Sequence, residues 1–317
     1  MSRSADFAIL IPTRNRPVKV RKLLESISSS KVMPKQVVIV ASGTEISEEI
    51  SLFQERLPIT YIFSKQAGQV NQKKLGLAAI TPKIAWVVFL DDDVLVKPDT
   101  FSSAFESLNF FEKTKSEQIV GVGLGITSSS RSKSAGCFLK ILGSFFLLYK
   151  NKPGLVLSSG HATSYQECIR PVFTAWLNGV SMWRRENAMK YSCLGINSKY
   201  AACEDLIYSY SQSKFGELLY LPQSIVTYQD IEITNFESME VIESGALNRM
   251  SFVLSNSELS KWRCAWSQIG RCGYAIVVRD QNGSRNLKFH LKLILKMIFV
   301  CFRPSTLEEY LGSIKPN

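Results

Sequence analysis

Hydrophobic and polar positions fall in blocks along the first part of the chain. Phe7 to Ile11 is a continuous apolar run closed by Pro12, and Val37 to Val40, Ile59 to Phe63 and Trp86 to Leu90 repeat the form. Short runs that are apolar on both faces predict strands buried on both sides of a sheet. Between them lie stretches with helical spacing. Pro17 opens one that carries Val20, Leu23, Leu24 and Ile27, a polar one runs from Glu45 to Arg56, and a third from Gln69 to Ala79. Proline suits a first helical turn, where its missing N–H would have no partner anyway. Strands separated by helices in this order predict an α/β fold, with a mostly parallel sheet flanked by helices on both faces. Such sheets bind ligands beyond the C-terminal ends of their strands. Pro12-Thr13-Arg14, Ser42-Gly43 and Asp91-Asp92-Asp93 all stand at such ends.

The pattern weakens between Ile126 and Arg170. A serine-rich stretch from Thr127 to Ser134 reads as a loop, and the apolar patch from Cys137 to Tyr149 as one apolar segment of a variable insert, a buried helix or hairpin ranking ahead of a membrane or lipid contact. Order returns at Trp176 to Arg184, at a helix beginning near Glu204-Asp205, and at strands near Leu218 to Leu221 and Ile225 to Thr227. These observations divide the chain into an α/β domain, residues 1–235, and a helical, basic, amphipathic region, residues 236–317. In the final segment NLKFHLKLILKMIFVCFR, Lys288, Lys292 and Lys296 are spaced four apart. On a helix they form one basic stripe beside an apolar surface, the form of a helix lying on an anionic membrane.

Composition narrows the partners. The 317 residues are 45% hydrophobic and 21% charged, within the globular range, but the net charge is +11. That excess points to an anionic partner: nucleic acid, a membrane surface or a phosphorylated substrate. No dense Lys/Arg run with interleaved aromatics occurs, so nucleic acid ranks last. Seven cysteines without CxxC spacing and only two histidines argue against a zinc site and for free thiols in a reducing compartment. Phe7 to Ile11 is too short for the core of a signal peptide, and no apolar run reaches the ~18 residues that span a bilayer. The expected location is the cytoplasm, peripheral on the inner face of the cell membrane.

Three adjacent carboxylates repel one another, and a divalent cation relieves that cost. Mg2+ or Mn2+ is commonly held by one or two carboxylates together with substrate phosphates. In an extended segment Asp91 and Asp93 face one way and Asp92 the other, which suggests one carboxylate on the metal and another on a ribose hydroxyl. Glu204-Asp205 supplies a second acidic site at a helix start, suited to general-base work. Thr13, Arg14, Asn15 and Arg16 offer hydrogen-bond donors to a nucleotide.

Taken together, AILIPTRNRPVKVRKLLESI, VVIVASGT, GQVNQKKLGL, WVVFLDDDVLVKPDTF, TAWLNGVSMWRRENA and CEDLIYSYSQSKFGELLYLPQSIV resemble glycosyltransferase family 2 in order and spacing over roughly residues 5–230. The resemblance implies a GT-A catalytic domain, here followed by a C-terminal helical extension. It implies that Pro12, Thr13, Arg14 and Arg16 line the donor nucleotide, that Lys73 lies near its diphosphate, and that Asp91 and Asp93 form the DXD pair, with Asp93 the metal ligand and Asp92 beside them. Trp176, Asn178 and Gly179 match the acceptor segment, and Asp205, with Glu204, the catalytic base. The sequence departs from the family in two places. Ser42 stands where an Asp usually contacts the base, and Tyr228 or Gln229 stands near the place of a metal-binding His.

The QxxRW motif of processive members is missing, so the resemblance implies transfer of a single sugar. The donor is a nucleoside-diphosphate sugar of the UDP, GDP or dTDP type. The acceptor is a glycan or a lipid-linked hydroxyl, of the kind used in bacterial surface-polysaccharide assembly. A sugar-nucleotide pyrophosphorylase would want a glycine-rich loop after the first strand, and a phosphatase with an Asp nucleophile a DxDGT motif; neither occurs. The remaining rival is a membrane-surface scaffold that binds a sugar nucleotide without turning it over.

Overall fold

The computed structural model describes residues 6–114, 116–127, 137–191, 201–229, 239–277 and 283–313. The serine-rich loop after Thr127, Cys193 and the expected domain boundary at residue 235 lie outside the described residues. In chain order the elements begin β1 (Phe7–Arg14), α1 (Pro17–Ser28), β2 (Gln36–Ser42), α2 (Ser47–Ser51), β3 (Ile59–Ser64), α3 (Gln69–Ala78) and β4 (Trp86–Phe89). There follow β5 (Val94–Val96), α4 (Thr100–Thr114), β6 (Ile119–Thr127), α5 (Cys137–Phe145), β7 (Val172–Thr174), β8 (Ser181–Arg184) and α6 (Arg185–Ala188). The last are α7 (Glu204–Gln212), β9 (Glu217–Tyr228), α8 (Met239–Leu254), α9 (Lys261–Val277), α10 (Gly283–Phe302) and α11 (Thr306–Ser313).

The chain divides into two compact units. The first comprises residues 1–131, 165–192 and 208–232, the second residues 132–164, 193–207 and 233–317.

The first unit is built on one mixed sheet of nine strands among the described residues, in the order β3-β2-β1-β4-β8-β6-β9-β5, with β7 paired to β9. The N-terminal half is parallel as the apolar runs predict, Ile9 opposite Val37 and Val88, and Val38 opposite Thr60. Beyond it, β8 enters antiparallel between β4 and β6, so the sheet is mixed. A strand that does not arrive by a helical crossover is free to run either way. Since β6 is antiparallel to β8, it runs parallel to β4, and β9 runs parallel to β6. The C-terminal ends of β1, β2, β4, β6 and β9 therefore share one edge.

One face of this sheet packs on α1 and α4. Val20, Leu23, Leu24 and Ile27 are the buried residues of α1, the stripe read from their spacing. The Phe7 ring lies 5.0 Å from that of Phe101 and 5.3 Å from that of Phe105. Full burial of such side chains contributes about 1.5–3 kcal/mol each. The other face receives α3, whose approach depends on Gly76, since a Cβ there would lie 2.1 Å from Leu10 Cδ1.

Two elements differ from their sequence patterns. The polar helix expected from Glu45 to Arg56 is α-helical only over Ser47–Ser51. It continues as tight turns in which Phe53 N–H donates to Ile50 O and Arg56 N–H to Phe53 O. Those turns bury Ile50, Phe53 and Leu57. The two strands expected at Leu218 to Leu221 and Ile225 to Thr227 are one strand, β9, whose register shifts opposite Leu124 and Gly125. Pro222, which has no N–H to give to a ladder, lies within the shift.

The second unit is helical. Val300 and Met297 of α10 are buried, as are Leu247 and Met250 of α8 and Leu307 of α11. The three lysines of α10 do not form one solvent stripe. Lys288 and Lys292 are exposed, while Lys296 is half-buried, pairs with Glu243 of α8 and lies 5.3 Å from the Tyr310 ring of α11. The helix turns that lysine toward its own neighbours because its four-carbon stem packs as apolar surface.

Candidate active site

The acidic triplet forms the turn between β4 and β5, at the shared C-terminal edge of the sheet. Its three carboxylates have separate surroundings. Asp92 is buried, and its carboxylate accepts from Thr13 Oγ1 at 2.7 Å and from Arg16 Nη1 at 2.8 Å. The same Arg16 nitrogen lies 3.3 Å from Asp93 Oδ2, and the Asp93 side chain stays 28% exposed. Asp91 is half-buried, and its Oδ1 receives a long hydrogen bond, 3.4 Å, from Gln69 Nε2 at the first residue of α3. The positive end of a helix favours a carboxylate there.

The middle residue is the structural one, tying β4 to the β1 exit through charge-assisted hydrogen bonds. Gln229, just past β9, braces the turn from its other side. Its backbone N–H donates to Asp93 O at 2.8 Å, and its Nε2 to Lys19 O, Asp92 O and Val94 O at 2.8, 3.1 and 3.2 Å. Its Oε1 is buried and has no partner. Tyr228, in register with Val94, ends the strand.

The neighbouring strand ends are fixed by the same means. Gln72 of α3 is buried and donates from Nε2 to Thr13 O at 2.6 Å and Val40 O at 2.7 Å, joining the ends of β1 and β2. Asn15 takes a left-handed backbone, φ 57°, and its Oδ1 accepts from Thr44 N at 2.8 Å and Thr44 Oγ1 at 3.1 Å. Gly43, φ 80°, closes this contact; a Cβ there would lie 2.0 Å from Asn15 Oδ1. Ser42 is buried, and its hydroxyl has no partner. Arg14 and Arg16 are exposed, and Pro12 and Thr13 are buried in β1. Pro12 lies past the last β1–β4 pair, Leu10 with Phe89, so its missing N–H breaks no bond to β4. Lys73 is buried with Nζ 5.4 Å from the Phe89 ring and 5.7 Å from the Tyr191 ring, a cation held over aromatic faces two residues before the triplet.

The acceptor-type segment rests on an aromatic stack in the same unit. Tyr165 lies 4.9 Å from Trp176 and 4.6 Å from Tyr220, and Asn178 N–H donates to Tyr165 Oη at 2.7 Å. The Asn178 amide oxygen and nitrogen are both buried without a partner. Gly179 follows, partly exposed. Glu204 and Asp205 open α7 in the second unit, Glu204 buried and Asp205 half-buried. Their turn is held within that unit: Asn248 Nδ2 donates to Ala202 O at 2.9 Å, and Arg249 Nη2 to Cys203 Sγ at 3.2 Å. Cys203 itself takes φ 69°, a left-handed conformation that a non-glycine residue adopts at a cost.

Gln69, Gln72, Tyr165 and Asn248 are the supports that sequence reasoning missed. Each is a polar residue on a helix or in a loop, and only the fold shows whose backbone it meets. Among the described residues no group of three His, Cys, Asp or Glu side chains converges as a metal cage.

Residues 8–149 match the family model of glycosyl transferase family 2, a span that includes β1 from Ala8 onward, β2, Lys73 and the acidic turn. Over that span the chain is similar to glycosyl transferase family 2. Solved structures share the fold. S. aureus TarS 1-349 matches with a TM-score of 0.55 at 12% identity, over 98% of this chain and 87% of that one. The same fragment in complex with UDP-GlcNAc gives 0.54 at 13%, over 98% and 88%. The mannosyltransferase PcManGT from Pyrobaculum calidifontis, in complex with GDP-Man and Mn2+, gives 0.52 at 13%, over 97% and 85%. At that identity the likeness establishes the fold, the GT-A arrangement of a mixed sheet between helices. No curated protein sequence matches.

Proposed function

We propose that the chain transfers one sugar, with inversion, from a nucleoside-diphosphate sugar to a hydroxyl of a glycan or lipid-linked acceptor in surface-polysaccharide assembly, working at the inner face of the membrane. The observation that carries the reading is the division within the triplet. Asp92 is consumed by Thr13 and Arg16, whereas Asp91 and Asp93 stay partly exposed at the strand edge. The complexes of the neighbouring folds with UDP-GlcNAc, and with GDP-Man and Mn2+, support a donor of this class.

An all-oxygen donor set of one or two carboxylates, without a closed protein cage, fits Mg2+ or Mn2+ shared with substrate phosphates. Asp93, with Asp91, would hold the ion, which when bound neutralises charge on the diphosphate. The buried, unpartnered Oε1 of Gln229 is one more oxygen beside that turn.

Thr13, Arg14, Arg16 and Ser42 bind and orient the nucleotide, and Lys73 adds positive charge from the interior. Trp176, Asn178 and Gly179 orient the acceptor. Asp205 removes the proton from the attacking hydroxyl, with Glu204 buried beside it. The acceptor oxygen bonds to the anomeric carbon while the bond to the diphosphate breaks, its electron pair leaving with the nucleoside diphosphate. Holding both substrates in line supplies much of the acceleration.

A panel of UDP, GDP and dTDP sugars with Mn2+ tests the reading. Slow nucleoside diphosphate release from at least one donor is expected, and Asp93→Ala abolishes it. Neither release nor binding with any donor would overturn it, and binding without release would favour the non-catalytic scaffold.

A further inference from the structure

Three helices of the second unit expose apolar residues on one side each. On α5 they are Phe138, Ile141 and Phe145, each more than 60% exposed. On α9 they are Trp262, Trp266 and Ile269, again at helical spacing. On α10 they include Leu291 at 50%, Leu295 at 66% and Phe302 at 71%. Exposed aromatic and aliphatic side chains are common singly, but a contiguous set marks an interaction surface.

Ring contacts make the three stripes contiguous. The Trp266 ring meets that of Phe145 edge-on at 5.3 Å, and its indole N–H donates to Phe145 O at 3.0 Å, joining α9 to α5. Trp262 lies 5.0 Å from Phe302, joining α9 to α10. Close packing at the α5 side depends on Gly270, where a Cβ would fall 2.3 Å from Phe146 Cβ. An apolar recess lined by Leu139, Leu142, Phe146 and Leu148 opens beside it.

Charge selects the occupant. The three helices contain no Asp or Glu, and carry one basic residue on α5, three on α9 and four on α10. Lys288 and Lys292, both exposed, border the apolar side of α10, while Lys296 is turned inward to Glu243. The acidic residues of the neighbouring helices are Glu240 and Glu243 on α8 and Glu308 and Glu309 on α11. Among the described residues no helix is long and apolar enough to cross a membrane. Apolar residues rimmed by cations, with two tryptophans among them, suit the boundary between headgroups and acyl chains.

We propose that α5, α9 and α10 together form a docking face for a membrane rich in anionic lipid, with Trp262, Trp266, Leu291, Leu295 and Phe302 seated at the acyl boundary. This rests on the surface-bound reading above and is independent of the catalytic assignments. It replaces a lysine stripe on one helix with a face made by three.

The test is co-sedimentation of the full chain with phosphatidylcholine vesicles, with and without phosphatidylglycerol. Binding is expected to the anionic vesicles and to fall on adding salt. Lys288→Glu with Lys292→Glu should lower the partition coefficient at least about 30-fold, from about 1 kcal/mol per cation lost. Leu291→Glu with Leu295→Glu should lower it at least about tenfold. Brominated acyl chains should quench the fluorescence of the unaltered chain, and Trp262→Phe with Trp266→Phe should remove that quenching, a readout that does not depend on the glutamate variants folding. No binding to anionic vesicles overturns both this face and the surface-bound reading. Binding that survives both glutamate pairs, with no quenching, overturns the face alone. Self-association that Leu295→Glu abolishes, without vesicle binding, assigns the face to a second copy and overturns the proposal.

Discussion

Arg16 Nη1 lies 2.8 Å from Asp92 Oδ1, and this contact separates a structural carboxylate from its neighbours. The Arg16 side chain is 48% exposed, so the pair alone is worth little, about 0–1 kcal/mol. Asp92 is different, because it also receives the buried Thr13 hydroxyl at 2.7 Å. Asp92→Ala leaves that donor unsatisfied, and should cost about 1–3 kcal/mol of stability in urea unfolding. Asp93→Ala, at the exposed end of the same turn, should change stability by less than about 0.5 kcal/mol yet lower donor turnover at least ~100-fold. Equal stability losses in the two variants would contradict the division of roles.

Gly43 gives a second, purely conformational prediction. Its φ of 80° strains any side chain, and a Cβ would strike Asn15 Oδ1, the acceptor for Thr44. Gly43→Ala should therefore cost about 1–2 kcal/mol and raise the donor KM, because the loops after β1 and β2 move together. Thermal melts and donor titration of the variant check it. An unchanged donor KM would detach this loop pair from nucleotide binding.

What the sequence could reveal here follows from the range of each interaction. The α1 stripe of Val20, Leu23, Leu24 and Ile27 is a local pattern, and it is buried as read. The runs that became β1, β2, β3 and β4 are also local, since a strand buried on both faces must be apolar throughout. The antiparallel entry of β8 between β4 and β6 is not local; nothing in SMWR says which neighbours it will find. The triplet was legible as chemistry, but the inward turn of Asp92 depends on Thr13 and Arg16, 79 and 76 residues away. Gln72 was silent for the same reason, and Gln229 stood out only for its place beside the missing His, not as a brace of the turn. An amide that clamps backbone carbonyls has no spacing rule, whereas Gly43 and Asn15 carried a weak signal as residues tolerant of positive φ.

Stability of the second unit should fall on mild acidification. Burial, then the charges of Arg249 on α8 and Arg271 on α9, hold His161 well below its usual 6.5. Burial and then Arg271 lower His290 in the same direction. Both are neutral in the folded chain near pH 7, and an unfolded chain takes up their protons first as pH falls. The unfolded state then binds more protons, so stability is full above about pH 6.5 and is lost below it toward the folded values. Urea midpoints measured between about pH 7.5 and 5 should decline in this window, and His161→Asn with His290→Asn should flatten the decline. An unaltered slope in the double variant would place the acid sensitivity elsewhere.

The strongest chemical prediction concerns the first turn of α7. Asp205→Asn keeps the size and hydrogen-bonding reach of the side chain but removes its basicity, so sugar transfer should fall by about 10²–10⁴ while donor affinity is unchanged. Asn248→Ala acts on the same turn from beneath. It leaves Ala202 O without the 2.9 Å donor that helps hold the left-handed Cys203 and the start of the helix. That variant should lose about 1–2 kcal/mol of stability and lower kcat with a smaller effect on donor KM. Its remaining activity should keep the pH profile of the unaltered chain, because on the proposed assignment the Asp205 carboxylate is displaced and not removed. Asp205→Asn should flatten the acidic limb of the pH–rate profile, where a carboxylate base becomes protonated. Isothermal donor titration beside pH–rate profiles for both variants separates the two roles, and full transfer activity in Asp205→Asn would remove that carboxylate from the mechanism.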